Sequence, residues 1–329
     1  MRGSGRVVRE DRVVMMRRQV GLLSGGCIGA GVAVQARING ALGERLHDGV
    51  AAAVVSFGTG LVLVGLVCVG SARGRAGIGR VWTALRAGEL RRWQLLGGLC
   101  GAFFVATQGL TVAVIGVTAF TVAVVAGQMV SSLAVDRLGM GPRGRTAVTW
   151  LRAGGAALAL AAVALSVLGR TGTGGAGLAV PAALRGGPQA LLIVLPLLAG
   201  VGVAWQQAVN GRVGAVGGPS SATLANFATG TIGLVSVEAL MVLRSGWPTG
   251  FPAAPWLYLG GVIGVVFIAL AVLVVRWIGV LLLGLTSVAG QLSMSLLLDV
   301  FAPTGARVSA LAVVGCALTF VAVAIAARD

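Results

Sequence analysis

Side chains able to do chemistry are few in this sequence, and their spacing places them on shared helix faces. Gln128, Ser132 and Asp136 recur every four residues, as do Gln291, Ser295 and Asp299. Residues four apart stand one above the other on an α-helix. Gln35 and Asn39 form a shorter pair with the same spacing, and Gln206 and Asn210 form another. A carboxamide both donates and accepts hydrogen bonds, so such faces suit neutral or zwitterionic polar solutes. Glu238 is the one carboxylate well inside an apolar run, and an ionisable group in hydrocarbon is a natural carrier of a coupling proton. It reads equally as an interfacial residue if that run ends early.

Other chemistries lack their residues. His47 is the only histidine, and neither HExxH nor GxSxG occurs, so hydrolase chemistry has no constellation and no enzyme is expected. No GxxxxGK[ST] is present, which removes a nucleotide-driven pump within this chain. Cys27, Cys68, Cys100 and Cys316 are isolated in apolar runs. No metal, cofactor or disulfide framework is indicated, and these cysteines read as small buried hydrophobes.

The elements that must position the polar residues follow from composition. The 329 residues are 57% hydrophobic and 10% charged, against about 25% charged in soluble domains, and the mean hydropathy is +0.96. Apolar runs fall at 19–40, 50–70, 94–113, 117–135, 149–168, 189–210, 221–243, 255–275, 278–298 and 307–326. A run of about 20 apolar residues crosses a bilayer as a helix. Barrel strands alternate in short segments, which these runs do not. The chain is thus expected to be an all-α polytopic membrane protein with ten transmembrane helices.

The net charge of +16 would suit a nucleic-acid partner, but placement argues against one. All 25 basic residues are arginine, mostly in segments flanking apolar runs, as in cytoplasmic loops of membrane proteins. Sixteen of them lie before run 1, between runs 2 and 3, and between runs 4 and 5 or, as Arg152, at the start of run 5; Arg37, Arg45, Arg170 and Arg185 are the only four on the opposite side of the first half. The N-terminus is therefore expected in the cytoplasm. Residues 1–18 read as an Arg-rich cytoplasmic tail before an uncleaved first span, with Met15 and Met16 as alternative starts.

The sequence also repeats. Gln35-Ala36-Arg37-Ile38-Asn39-Gly40 returns as Gln206-Gln207-Ala208-Val209-Asn210-Gly211, Gly97-Gly98-Leu99-Cys100-Gly101 as Gly260-Gly261-Val262-Ile263-Gly264, and Ala126-Gly127-Gln128 as Ala289-Gly290-Gln291. The matches keep their order at offsets of 171, 163 and 163 residues. Two units follow, 19–168 and 189–329, joined by a Gly-rich link at 169–188. Five spans per unit is an odd number, so the second unit enters the membrane upside down. The expected architecture is a 5+5 inverted repeat, a plan typical of secondary transporters with a midplane site between halves.

Each polar residue has a bland reading beside the functional one. Gln128, Ser132, Gln291 and Ser295 line a central cavity or hold helices together. Asn39-Gly40 and Asn210-Gly211 bind solute or terminate helices. Asp136 and Asp299 read as solvated interfacial residues. Trp93, Trp150, Trp256 and Trp277 lie at run ends as an aromatic belt. Trp205 sits inside run 6 beside Gln206 and either walls a pocket or packs. Gly25/Gly29, Gly97/Gly101 and Gly260/Gly264 are GxxxG pairs for close helix approach.

The ordered set of Gln-x-x-x-Asn-Gly, Ser56-Phe57-Gly58-Thr59-Gly60, Gly-Gly-x-x-Gly and Ala-Gly-Gln-x-x-x-Ser-x-x-x-Asp resembles the YdcZ-like family of inner-membrane exporters in the drug/metabolite transporter superfamily. The resemblance spans Gln19 to Ala327 as two fused five-helix units. The second copy departs from it at Asn226, which stands where the first has Ser56, and in lacking Arg-rich loops. It implies a ten-helix inverted-repeat transporter, with exporters of the bacterial inner membrane as its kin, and supplies no substrate. Taken with the polar helix faces, the expected function is secondary transport of a small polar or amphiphilic molecule, as an exporter working by alternating access. Its partners would be the solute, membrane lipids and a coupling proton, with no nucleic acid. A non-transporting assembly or lipid-handling protein and a passive channel fit the same composition. Periplasm-sensitive reporters on both termini should read cytoplasmic; termini on opposite sides would overturn the inverted repeat.

Overall fold

The computed structural model describes residues 4–140, 145, 147, 149–171, 191–246, 250–302 and 310–326. Among these the chain is helical: α1 (Ser4–Leu46), α2 (Gly49–Gly70), α3 (Ala72–Arg86), α4 (Gly97–Leu138), α5 (Trp150–Thr171), α6 (Leu191–Gly217), α7 (Pro219–Ser245), α8 (Gly260–Phe301) and α9 (Ala310–Ala326). In hydrocarbon every backbone polar group must be satisfied within the protein, which helices achieve locally. Their ends are set by side chains. Asp48 Oδ1 accepts from Val50 N and Ala51 N at 2.8 and 2.9 Å to start α2. Ser71 Oγ accepts from Gly74 N at 3.0 Å to start α3.

The two longest apolar runs double back. As a straight rod, α8 with its 42 residues would be about 63 Å long at 1.5 Å per residue. Yet both of its ends reach the same part of α1. Gln35 Nε2 donates to Gly260 O at 2.8 Å, and Arg37 Nε donates to Ala302 O at 3.3 Å. Ile278, from the middle of α8, lies instead against Gly21 near the other end of α1. The same logic applies to α4. Asn210 of α6 lies against Gly97, while Arg212 donates to Met140 O and Gly139 O at 2.7 and 2.8 Å. In α4 the reversal is Gly116, whose φ of 78° and ψ of 163° are non-helical and suit glycine. Six helices among the described residues are long and apolar enough to cross a membrane, and three shorter apolar stretches accompany them. Counting the arms of α4 and α8 separately gives the ten crossings expected from the sequence.

Glycines decide how these arms meet. α1 lies along α8, α6 along α4, α2 on α7 and α5 on α9. A methyl on Gly29 would overlap the Ser287 carbonyl, and one on Gly200 the Val124 carbonyl. Gly290 is pressed in the same way against Gly26 O, and Gly127 against Leu197 O. These are backbone-to-backbone contacts, available only where neither helix carries a side chain. Gly98 and Gly261 lie equally close to the carbonyls of Asn226 and Ser56. Of the GxxxG glycines in the sequence, Gly29 makes such a backbone contact, whereas Gly25, Gly97, Gly101, Gly260 and Gly264 lie against side chains of the facing helix.

Several expectations change. Asn39-Gly40 and Asn210-Gly211 do not terminate helices: α1 continues to Leu46 and α6 to Gly217. Gly40 is needed instead for packing against Val112. Span 7 does not end early, because α7 runs to Ser245, and Glu238 is buried within it. Asp299 is not solvated. It is 6% exposed, and its carboxylate accepts from Val117 N at 2.9 Å and Thr118 N at 2.7 Å. Those amides begin the second arm of α4, where no helical carbonyl can reach them, so a charge-assisted cap comes from the far end of the chain. The Arg-rich segment between runs 2 and 3, expected as a loop, contains helix α3. From Ser4 the expected tail is helical and continuous with α1. The Asp136 side chain and the link beyond Thr171 lie outside the described residues. Trp93, Trp150, Trp256 and Trp277 are exposed, as an aromatic belt requires.

Asp299→Ala should lower stability by about 1–3 kcal/mol, because two buried amides lose their acceptor. Asp299→Asn, which keeps one acceptor, should lose less. Thermal melting in detergent reads this directly, and equal melting temperatures for all three proteins would refute the cap.

Candidate functional site

The repeated amides gather into two clusters, each built across a glycine motif. In the first, Gln35 and Asn39 extend from α1 toward the start of α8. Gln35 Nε2 donates to Gly260 O at 2.8 Å, and Asn39 Nδ2 donates to Gln108 Oε1 at 2.7 Å. A methyl on Gly260 would strike Asn39 Oδ1 and come within 2.9 Å of Ser56 Oγ. In the second, Gln206 and Asn210 extend from α6 toward the start of α4, beside Gly101 and Gly97. Both donate to Asn226 Oδ1, at 2.7 and 2.9 Å. The glycines therefore do more than bring helices together. Without a Cβ, they leave room for the amides of the opposing helix.

An aromatic pair borders both clusters. Phe57 of α2 and Phe227 of α7 have ring centroids 4.9 Å apart. The Phe57 ring edge would lie 3.4 Å from a methyl on Gly101, beside Gln206, and the Phe227 edge 3.3 Å from one on Gly264, beside Gln35. Each ring also presses on a glycine of the helix opposite, Phe57 on Gly230 and Phe227 on Gly60. Both phenylalanines are buried.

The clusters differ in how their hydrogen bonds close. In the first, Asn39 Oδ1, Ser56 Oγ and Gln108 Nε2 are buried without a protein partner, and all four side chains are buried. In the second, Gln206 and Asn210 are half-buried, their amide nitrogens both bind Asn226, and Asn226 Nδ2 alone is buried without a partner. Leaving a buried donor or acceptor unpaired costs about 1–3 kcal/mol. Three such atoms in one cluster form a ready set of one donor, one acceptor and one hydroxyl.

The remaining candidate residues sit elsewhere. Gln128 Nε2 donates to Gln207 Oε1 at 3.3 Å, where Gln207 is exposed. Gln291 is buried at the crossing with α1, its backbone nitrogen close beneath Gly29. Ser132 Oγ bonds back to Met129 O at 2.7 Å, and Ser295 Oγ to Leu292 O at 2.9 Å. Gln128 and Gln291 lie at the helix crossings, where Gly200 and Gly29 come against their backbone nitrogens. Trp205 stacks on Trp93 with centroids 6.1 Å apart and an interplanar angle of 25°. Glu238 is 5% exposed, and neither carboxylate oxygen has a hydrogen-bond partner. A cavity of about 460 Å³ lies away from both clusters, between α3 and the α6–α7 turn.

Sequence reasoning missed Gln108, Ser56 and the phenylalanine pair as site residues. Repeat matching passes over Gln108 because Ala271 occupies its place in the second half. Ser56 and Asn226 differ in type, though both follow the same repeat position, one residue before a phenylalanine.

The comparisons agree with this architecture. A crystal structure of another protein shares the fold with a TM-score of 0.53 at 18% identity, covering 95% of this chain and 99% of that one. No curated protein matches the chain. The sequence profile of one family matches residues 20–165 and 191–325, in two blocks as expected for fused units. The chain is a multi-pass inner-membrane protein and belongs to the family described as "Putative inner membrane exporter, YdcZ".

Proposed function

We propose that the chain is a secondary transporter that exports a small neutral or zwitterionic polar solute by alternating access between two oppositely oriented five-helix units. The observation that carries this reading is the trio of unpartnered atoms on Asn39, Ser56 and Gln108. A buried polar group without a partner is unfavourable unless something else binds it; Asn39 Oδ1 and Ser56 Oγ both lie over Gly260, and Gln108 is tied to Asn39 through its Oε1. The absence of charged side chains from both clusters favours a solute without strong net charge.

The paired contacts support the inverted arrangement. α2 and α7 run antiparallel, since Cys68 Sγ meets Ser220 O at 3.5 Å while Phe57 and Phe227 press on Gly230 and Gly60. The sealed first cluster and half-open second cluster correspond to one side closed and one side accessible. A half-rotation of that relation, with Phe57 and Phe227 as the divide, gives the opposite state. Glu238 is the coupling residue in this scheme: it is a buried carboxylate held by no hydrogen bond and lies in α7, which supplies Phe227 and Asn226. Gln128, Ser132, Gln291, Ser295 and Trp205 position the moving helices.

Comparing metabolites of deletion and overexpressing strains identifies the solute, and its accumulation in proteoliposomes separates a transporter from a channel or an assembly protein. Ser56→Ala should leave the melting temperature unchanged or raised, because it removes an unpartnered hydroxyl. It should reduce transport about tenfold, the equivalent of a lost hydrogen bond of about 1.4 kcal/mol. Unchanged transport would overturn the first cluster as the binding site. Glu238→Gln should end accumulation driven by a pH gradient while solute exchange across equal concentrations continues. Retained pH-driven accumulation would remove Glu238 from coupling.

A further inference from the structure

Helix α3 has a composition and a position that transport does not account for. It begins two residues after Gly70, the end of the 22-residue apolar span α2, with only Ser71 between. From there it packs back on α2 and α6 beside the body of the protein. Its buried residues, Gly74, Gly77 and Ala84, form one stripe against the body of the protein. At 100° per residue, Ile78 and Trp82 fall beside that stripe on one flank. They are 38% and 55% exposed. On the preceding span α2, Leu66 and Val69 are also exposed.

Three of the four arginines of α3 have contacts that divide them into two sets. Arg75 donates to Val69 O, near the end of α2, and Arg80 donates to Val216 O and Gly217 O at 3.1 and 3.2 Å, at the end of α6. These two satisfy carbonyls that helix ends leave unpaired and fasten α3 to the body. Arg86 makes no such bond. Its guanidinium rests over the Trp82 ring at 4.9 Å, next to the exposed apolar flank. Helix α3 contains four arginines and no acidic residue. After Glu89, which is exposed, Arg91 and Arg92 follow, both exposed, just before Trp93.

We infer that α3 is an in-plane anchor that binds anionic phospholipid, with Ile78 and Trp82 set among the upper acyl chains and Arg86 on the headgroup phosphate. An exposed apolar flank in water is unfavourable, and the span that precedes it brings the flank to the lipid. The charge selects the lipid: basic residues at an anionic surface each strengthen binding, and an interfacial helix combines such residues with an aromatic apolar face. The inference is independent of the transported solute and of the two amide clusters.

The test uses the full-length protein in nanodiscs, with brominated phosphatidylglycerol or brominated phosphatidylcholine at equal fractions in an otherwise identical bilayer. Subtracting the fluorescence of Trp82→Phe isolates the Trp82 signal. Brominated phosphatidylglycerol should quench that signal more strongly, with an apparent preference of about fivefold, as one arginine at a charged surface supplies. Raising the salt to about 1 M, where the screening length is about 3 Å, should abolish the preference in the unaltered protein. Arg86→Gln should abolish it at low salt while leaving quenching by the zwitterionic lipid in place. Absence of Trp82 quenching by either lipid would overturn the anchor. Equal quenching by both in the unaltered protein at low salt, or a preference untouched by Arg86→Gln and by salt, would overturn the anionic site.

Discussion

Contact between bare helix backbones is the interaction from which the other features follow. Within a bilayer, lipid tails are as apolar as leucine, so helices gain little by hiding side chains from them. Close packing and the hydrogen bonds it permits must hold the bundle instead. Gly29 on Ser287, Gly200 on Val124, Gly127 on Leu197 and Gly290 on Gly26 bring α1 to α8 and α6 to α4 at the shortest separation that backbones allow. Only at that separation does Gln35 reach the carbonyl of Gly260, or Asn210 lie against Gly97. The amides are thus positioned by residues that have no side chain.

Against this shared frame, the few unmatched residues acquire meaning. Gln108 has Ala271 as its repeat partner, Ser56 has Asn226, and Glu238 has Cys68. Asn226 accepts from both Gln206 and Asn210 and so closes the second cluster on itself. Ser56 and Gln108 leave the first cluster open to another partner. The two halves match in frame, and the exchanges at Gln108 and Ser56 make their clusters chemically unequal. A carrier that binds on one side and releases on the other benefits from that inequality.

The membrane class and the number of spans were legible in the sequence, because bilayer thickness fixes the length of apolar runs; the GxxxG pairs were read as close helix approach, whereas all but Gly29 make room for side chains of the facing helix. Gln35, Asn39, Gln206 and Asn210 were also legible as a matched set. Gln128 and Gln291 read either as cavity lining or as helix glue, and repetition alone does not separate the two, since it marks whatever both halves need; their backbone nitrogens lie under Gly200 and Gly29 at helix crossings. Asp299 was misread because proximity to a span end suggests water, whereas its partners, Val117 and Thr118, come from a reversal invisible to local pattern. Helix α3 was hidden by its arginines, which read as topology signals; the stripe of Gly74, Gly77 and Ala84 is too small in side chain to announce a buried face.

The tie between Asp299 and the start of the second arm of α4 joins residues 181 and 182 positions apart. Translation proceeds from the N-terminus, so the turn at Gly116 enters the membrane long before the carboxylate that caps it has been made. Through that interval the amides of Val117 and Thr118 must be served by water or by the insertion machinery. The first half of the protein is consequently finished by one of the last helices to be synthesised, and a ribosome that stops before residue 299 leaves behind a first unit with its turn unsealed.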